Sequence, residues 1–100
     1  MKTKFEKSEE LCTFVEQFAQ KAMPKPEVKD VVIDIQTGDV FMKWEDHHFL
    51  ISLNLKVEEE ITPGVDLTCR TKTPMAKIIE AYLLMYYNIR AKREKKRNNK

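Results

Sequence analysis

The stretch VVIDIQTGDVFMKWEDHHFLISLNLKV, residues 31–57, decides the fold. Its apolar residues recur at every second position, the period of a strand whose successive side chains face opposite sides. Val31, Ile33 and Ile35 alternate with Val32, Asp34 and Gln36, and Thr37-Gly38-Asp39 supplies a tight turn. Val40, Met42 and Trp44 alternate with Phe41, Lys43 and Glu45, and Glu45-Asp46-His47 reads as a second turn. Phe49, Ile51, Leu53, Leu55 and Val57 then alternate with Leu50, Ser52, Asn54 and Lys56 in one long third strand. Glu58–Glu60 and Thr62-Pro63-Gly64 end it. A fourth run places Val65, Leu67 and Cys69 on one side and Asp66, Thr68 and Arg70 on the other. The pattern predicts a four-stranded antiparallel meander, apolar on one face and mostly polar on the other.

Upstream the period changes to that of a helix. Leu11, Cys12, Phe14, Val15, Phe18, Ala19 and Ala22 form one stripe at 3.6-residue spacing. Ser8 supplies a hydroxyl cap, Glu9 and Glu10 suit the positive end of the dipole, and Pro24 and Pro26 stop the helix near residue 22. Downstream, Thr73 and Pro74 open a last helix with a cap and a proline at the first helical position. Its core stripe reads as Met75, Ile78, Ile79, Tyr82, Tyr86 and Ile89, with helicity to about Arg93. The predicted fold class is α+β: a two-layer sandwich in the order α-β-β-β-β-α, with the N- and C-terminal helices on one face of the sheet. Residues 1–93 form a single domain, and 94–100 a basic frayed or disordered tail. With four strands, that tail overshoots the sheet near the Gly38 turn and Glu58–Glu60.

One hundred residues with 42% hydrophobic and 34% charged content fit a single globular unit. No apolar run approaches the ~20 residues of a membrane span, and no apolar core of a secretory signal follows Met1. Two cysteines do not make a disulfide scaffold, so a reducing, cytoplasmic setting is the expectation. The net charge of +2 hides an asymmetry. Arg90–Lys100 hold seven Lys or Arg and one acid, Glu94, a local charge of +6 that leaves −4 for residues 1–89. Such an end attracts phosphate, anionic lipid or an acidic protein; the plainer reading is a solvated helix end.

Candidate chemistry is sparse. His47 and His48 are the only histidines, and neighbours on a strand point opposite ways, so they make a poor metal pair. Cys12 and Cys69 face the predicted core, where cysteine acts as a small apolar residue. No phosphate loop, nucleophile elbow or Cys–His pairing is present, so no catalytic residue, metal, cofactor or small-molecule substrate is predicted. Asp34, Asp66 and Arg70 admit an acid–base cluster, but cross-strand charge pairing accounts for them equally.

Two surfaces stand out as binding candidates. The outer sheet face offers Lys43, Lys56 and Arg70 with Gln36, Ser52, Asn54, Thr68, Phe41 and Leu50, a mixture suited to RNA backbone and bases, although Asp34, Glu45 and Asp66 share that face. With Arg90, Lys92, Arg93, Lys95, Lys96 and Arg97 they form the predicted nucleic-acid contacts. The second surface is the last helix. Between Ile78 and Ile89 only Glu80 and Asn88 are strongly polar, and a helix apolar nearly all round needs a second burial partner. Leu84, Met85 and Tyr87 are predicted to face away from the sheet as an interface for a protein partner or a second copy.

Ser8-Glu-Glu-Leu and Phe18-Ala-Gln-Lys before the first strand, with Ala81-Tyr-Leu-Leu and Arg90-Ala-Lys-Arg-Glu-Lys-Lys-Arg at the end, resemble the small Alu-domain subunits of the signal recognition particle. That layout resemblance implies RNA binding through an open sheet, beside a similar subunit, and carries no residue over by position. Leu55-Lys-Val, Val65-Asp-Leu-Thr-Cys and Thr73-Pro-Met-Ala-Lys-Ile-Ile-Glu-Ala-Tyr are similar to the strand–strand–helix of a SUMO-type β-grasp, but the strands that should follow are missing. The expected function is a non-enzymatic module that binds nucleic acid, RNA before DNA. The alternative is a protein-interaction module, such as an adaptor or a mobile-element-encoded inhibitor, acting as a dimer.

Overall fold

A computed structural model describes residues 4–22, 31–64 and 67–98. Helix α1 (Ser8–Ala22) is followed by strands β1 (Val31–Ile33), β2 (Val40–Trp44), β3 (His47–Ile51), β4 (Val57–Gly64) and β5 (Leu67–Thr71), and then by helix α2 (Pro74–Asn98). The strands lie in chain order in one antiparallel sheet. The α+β class holds, with both helices on one face, but the sheet has five strands where the sequence pattern predicts four.

The extra strand arises because Phe49–Val57 turns back on itself. Ser52 N–H donates to the Lys56 carbonyl at 2.9 Å and Leu55 N–H to the Ser52 carbonyl at 2.8 Å. The Ser52 hydroxyl accepts from the N–H groups of Asn54 and Lys56, each at 3.2 Å. Leu55 adopts φ 63, a left-handed conformation that a leucine rarely takes, and its side chain is fully buried. Alternation thus continues in the sequence although the strand does not: Leu53 and Leu55 plug the core from a turn. Glu58–Glu60, predicted to end a strand, lie within β4, opposite Leu50, Phe49 and His48.

β1 is shorter than its pattern. The Asp34 carboxylate accepts the Gln36 N–H at 2.9 Å, and Gly38 N–H reaches the Asp34 carbonyl at 2.8 Å. This closes the turn early and leaves Ile35 outside the strand, 92% exposed. Gly38 sits at φ 80. α1 has the predicted bounds, but Ser8 is used differently: its hydroxyl donates to the Gly38 carbonyl at 3.0 Å, tying α1 to the β1–β2 turn.

The core lies between the helices and one sheet face. Leu11, Phe14, Val15, Phe18 and Ala19 from α1 meet Val40, Met42, Phe49, Ile51 and Val57 from the sheet, and Ala76, Ile79 and Leu83 from α2. The start of α2 is fixed as predicted: Thr73 Oγ1 accepts the Ala76 N–H at 3.1 Å. Its course is not. A fifth strand reverses the end of the sheet from which α2 departs. α2 therefore starts beside Glu59, passes Val57 and ends over α1, where Arg90 donates to Gln17 at 3.0 Å. Its basic end sits neither at the Gly38 turn nor at Glu58–Glu60. The helical backbone continues to Asn98, beyond the predicted end at Arg93.

Candidate functional site

The outer sheet face does not assemble the predicted cation platform. Strand register places Lys43, His48, Glu60 and Arg70 in one row, so an acid stands between the two basic residues. Arg70 reaches Asp39 at 3.9 Å. The next row is Val32, Phe41, Leu50 and Glu58, with Leu50 buried. Lys56 lies in the turn before β4 and not on the strand face. Hydrogen bonding from the Gln36 N–H, with Arg70 a lesser contributor, holds the Asp34 carboxyl below its ordinary range. The face carries paired, mixed charge.

The cationic end of α2 is different. Lys92 and Arg93 are exposed. Arg90 is engaged, donating to Gln17 and lying over the Phe14 ring at 5.6 Å, so it pins α2 to α1. Between the two helices runs a groove of about 370 Å³ lined by Gln17, Gln20, Lys21, Tyr86, Ile89, Arg90 and Arg93. It offers three cations, two amides and a tyrosine, and no carboxylate among its described lining residues. Lys21 and the two glutamines escape sequence reading, because only the crossing of α2 over α1 brings them beside Arg93. The side chains of Lys95, Lys96 and Arg97 lie outside the described residues.

The predicted partner face of α2 is corrected. Leu84 and Tyr87 are half-buried against the core. Phe5 covers this flank: its ring lies 5.0 Å from that of Phe14 and 5.7 Å from that of Tyr87, and its N–H donates to the Leu53 carbonyl at 3.0 Å. Lys4 caps the Tyr87 ring at 5.6 Å. Only Met85 of the three is exposed. The helix is rotated from the predicted face, so that Ala76, Ile79 and Leu83 are buried while Ile78, Tyr82, Met85 and Ile89 are 48, 50, 54 and 43% exposed.

Where β4 meets α2, a polar cluster borders the apolar core. His47 Nδ1 lies 2.7 Å from Glu59 Oε2, and the Thr73 hydroxyl donates to Glu59 Oε1 at 2.6 Å. Burial raises the Glu59 carboxyl, but hydrogen bonds from Thr73 and His47 outweigh it and hold the group ionised below its ordinary value. The same Thr73 hydroxyl caps α2. Two turns along α2, Val57 N–H donates to Glu80 at 2.8 Å, and Lys72 bridges Glu80 and the Val57 carbonyl. His47 and His48 point to opposite faces, as strand geometry requires.

Cys12 packs against the core, where burial, with Glu16 adding, raises its thiol. Cys69, predicted to be buried, is exposed: it sits on edge strand β5, which α2 leaves uncovered. Among the described residues no group of three or more His, Cys, Asp or Glu could hold a metal, and no helix is long and apolar enough to cross a membrane. No protein-family model, curated protein or solved structure matches the chain.

Proposed function

We propose that this chain is a small nucleic-acid-binding module that grips its ligand with the cationic end of α2 and the last turn of α1. The observation that carries this reading is the groove in which Lys21 and Arg93 flank Tyr86, with the Gln17 and Gln20 amides alongside. Lysine and arginine there neutralise phosphates, the amides offer hydrogen bonds to bases or 2′-hydroxyls, and the tyrosine edge offers apolar contact. The charge distribution aids orientation: residues 1–89 carry −4 and repel phosphate, while the end of α2 attracts it. The helix–meander–helix order resembles that of the small Alu-domain subunits, and this analogy makes RNA the first ligand to try.

Fluorescence anisotropy with labelled single-stranded RNA tests the reading. Affinity should fall linearly with salt on a log–log scale. Reversing Lys92 and Arg93 to glutamate should weaken binding and flatten the slope by about 1.4, at roughly 0.7 for each phosphate that is no longer neutralised. Reversing Lys43 and Arg70 should leave both unchanged. Binding that depends on Lys43 and Arg70 instead, or no binding in about 50 mM salt, overturns the assignment.

A further inference from the structure

The outward stripe of α2 adjoins that cationic groove and shares Ile89 with it. Ile78, Tyr82, Met85 and Ile89 follow one another at spacings of four, three and four residues, the seam spacing of paired helices. All four remain between 43 and 54% exposed. A continuous stripe of large apolar side chains on a small domain marks an interaction surface.

The stripe is complementary to itself. About a two-fold axis between Tyr82 and Met85, antiparallel packing sets Ile78 against Ile89 of the second copy, and Tyr82 against Met85, a thioether on an aromatic ring. Charge selects the same orientation. Residues 74–89 carry one lysine and one glutamate, whereas Arg90–Lys100 carry +6. Parallel pairing would lay two cationic ends side by side; antiparallel pairing carries them to opposite ends of the assembly. Beside the stripe, a groove of about 460 Å³ bordered by Phe18 adds contact area for the partner helix; it shares Lys21, Tyr86, Ile89 and Arg93 with the cationic groove. We infer that the chain forms a two-fold dimer by antiparallel packing of α2 on α2 of a second copy. Four partly exposed side chains per copy fall short of a standard interface of about 800 Å² per partner, which makes the dimer a weak one. In it the two cationic ends lie at opposite poles.

Sedimentation velocity of the nuclease-treated full chain, up to about 200 µM, is the test. The expected result is a dimer that survives about 0.5 M salt, which would dissolve assemblies bridged by nucleic acid. Met85→Glu should yield a monomer with unchanged circular dichroism. The double variant Tyr82→Lys/Met85→Glu should dimerise again, because only antiparallel packing sets position 82 against position 85. If Met85→Glu fails to fold, spin labels at position 92 in a Cys12→Ser/Cys69→Ser background decide. Antiparallel helices put them about 27 Å apart, parallel ones about 9 Å. A wild-type monomer throughout, a dimer indifferent to Met85→Glu, no rescue in the double variant, or the short distance overturns the inference. The nucleic-acid reading is decided separately, by the salt dependence of RNA binding and the reversal of Lys92 and Arg93, although Ile89, Lys21 and Arg93 border both surfaces.

Discussion

Gly38 is the residue at which local conformation and tertiary packing coincide. Its φ of 80 lies in the left-handed region, and a Cβ there would come within 3.2 Å of Ser8 Oγ, the atom that binds the Gly38 carbonyl. Gly38→Ala should therefore strain the β1–β2 turn and disturb the only side-chain hydrogen bond described between α1 and that turn. The expected loss, read from urea unfolding, is about 1–2 kcal/mol. A neutral result would mean that the turn relaxes without cost. Leu55 shows the opposite bargain, a left-handed leucine retained because its side chain completes the core.

At the scale of elements, the β4–α2 junction is held by ionised carboxylates, and this sets a pH dependence. Glu59 and Glu80 both titrate below their ordinary value of 4.5 in the fold; for each, burial opposes the shift and hydrogen bonds, from Thr73 and His47 or from Lys72 and Val57, outweigh it. A carboxyl depressed by folding stabilises the native state above its unfolded value, and that contribution disappears as pH falls through the folded value. Glu80→Gln should cost about 1 kcal/mol at pH 7, and the gap from wild type should close below pH 4.5. Unfolding curves across that range give the answer, and a gap that stays constant would separate the loss from the carboxylate charge.

The same elements mark what could be read in advance. α1, β2 and the Thr73 cap were legible because each rests on local chemistry: a single apolar stripe, strict alternation beside a glycine turn, and a hydroxyl before proline. The fifth strand was not, because Leu53 and Leu55 keep the alternation running through a turn whose stabilising bonds come from Ser52. Nor was the face of α2. Met75–Ile89 is apolar on nearly every side, so periodicity selects no orientation, and the choice falls to Phe5 and to Glu80 bonding β4. Lys21 gains meaning only from a helix crossing that no local pattern encodes.

For the whole molecule, α2 serves three purposes at once. One side completes the core, a second is an exposed apolar stripe, and the end bears the positive charge that an acidic body lacks. In a two-fold assembly the cationic ends of α2 would sit apart at the poles, suited to a ligand long enough to reach both or to two separate ligands. Both surfaces depend on the rotation of α2 about its own axis. That rotation is tested by thiol-labelling rates of single cysteines placed at 79, 82, 83, 84, 85 and 87 in a Cys12→Ser/Cys69→Ser background, at about 1 µM to keep a weak dimer apart. Labelling should be fast at 82 and 85, intermediate at 84 and 87, and slowest at 79 and 83. Fast reaction at 84 and 87 with protection at 82 would contradict this orientation and return the outward face to the one that sequence alone suggests.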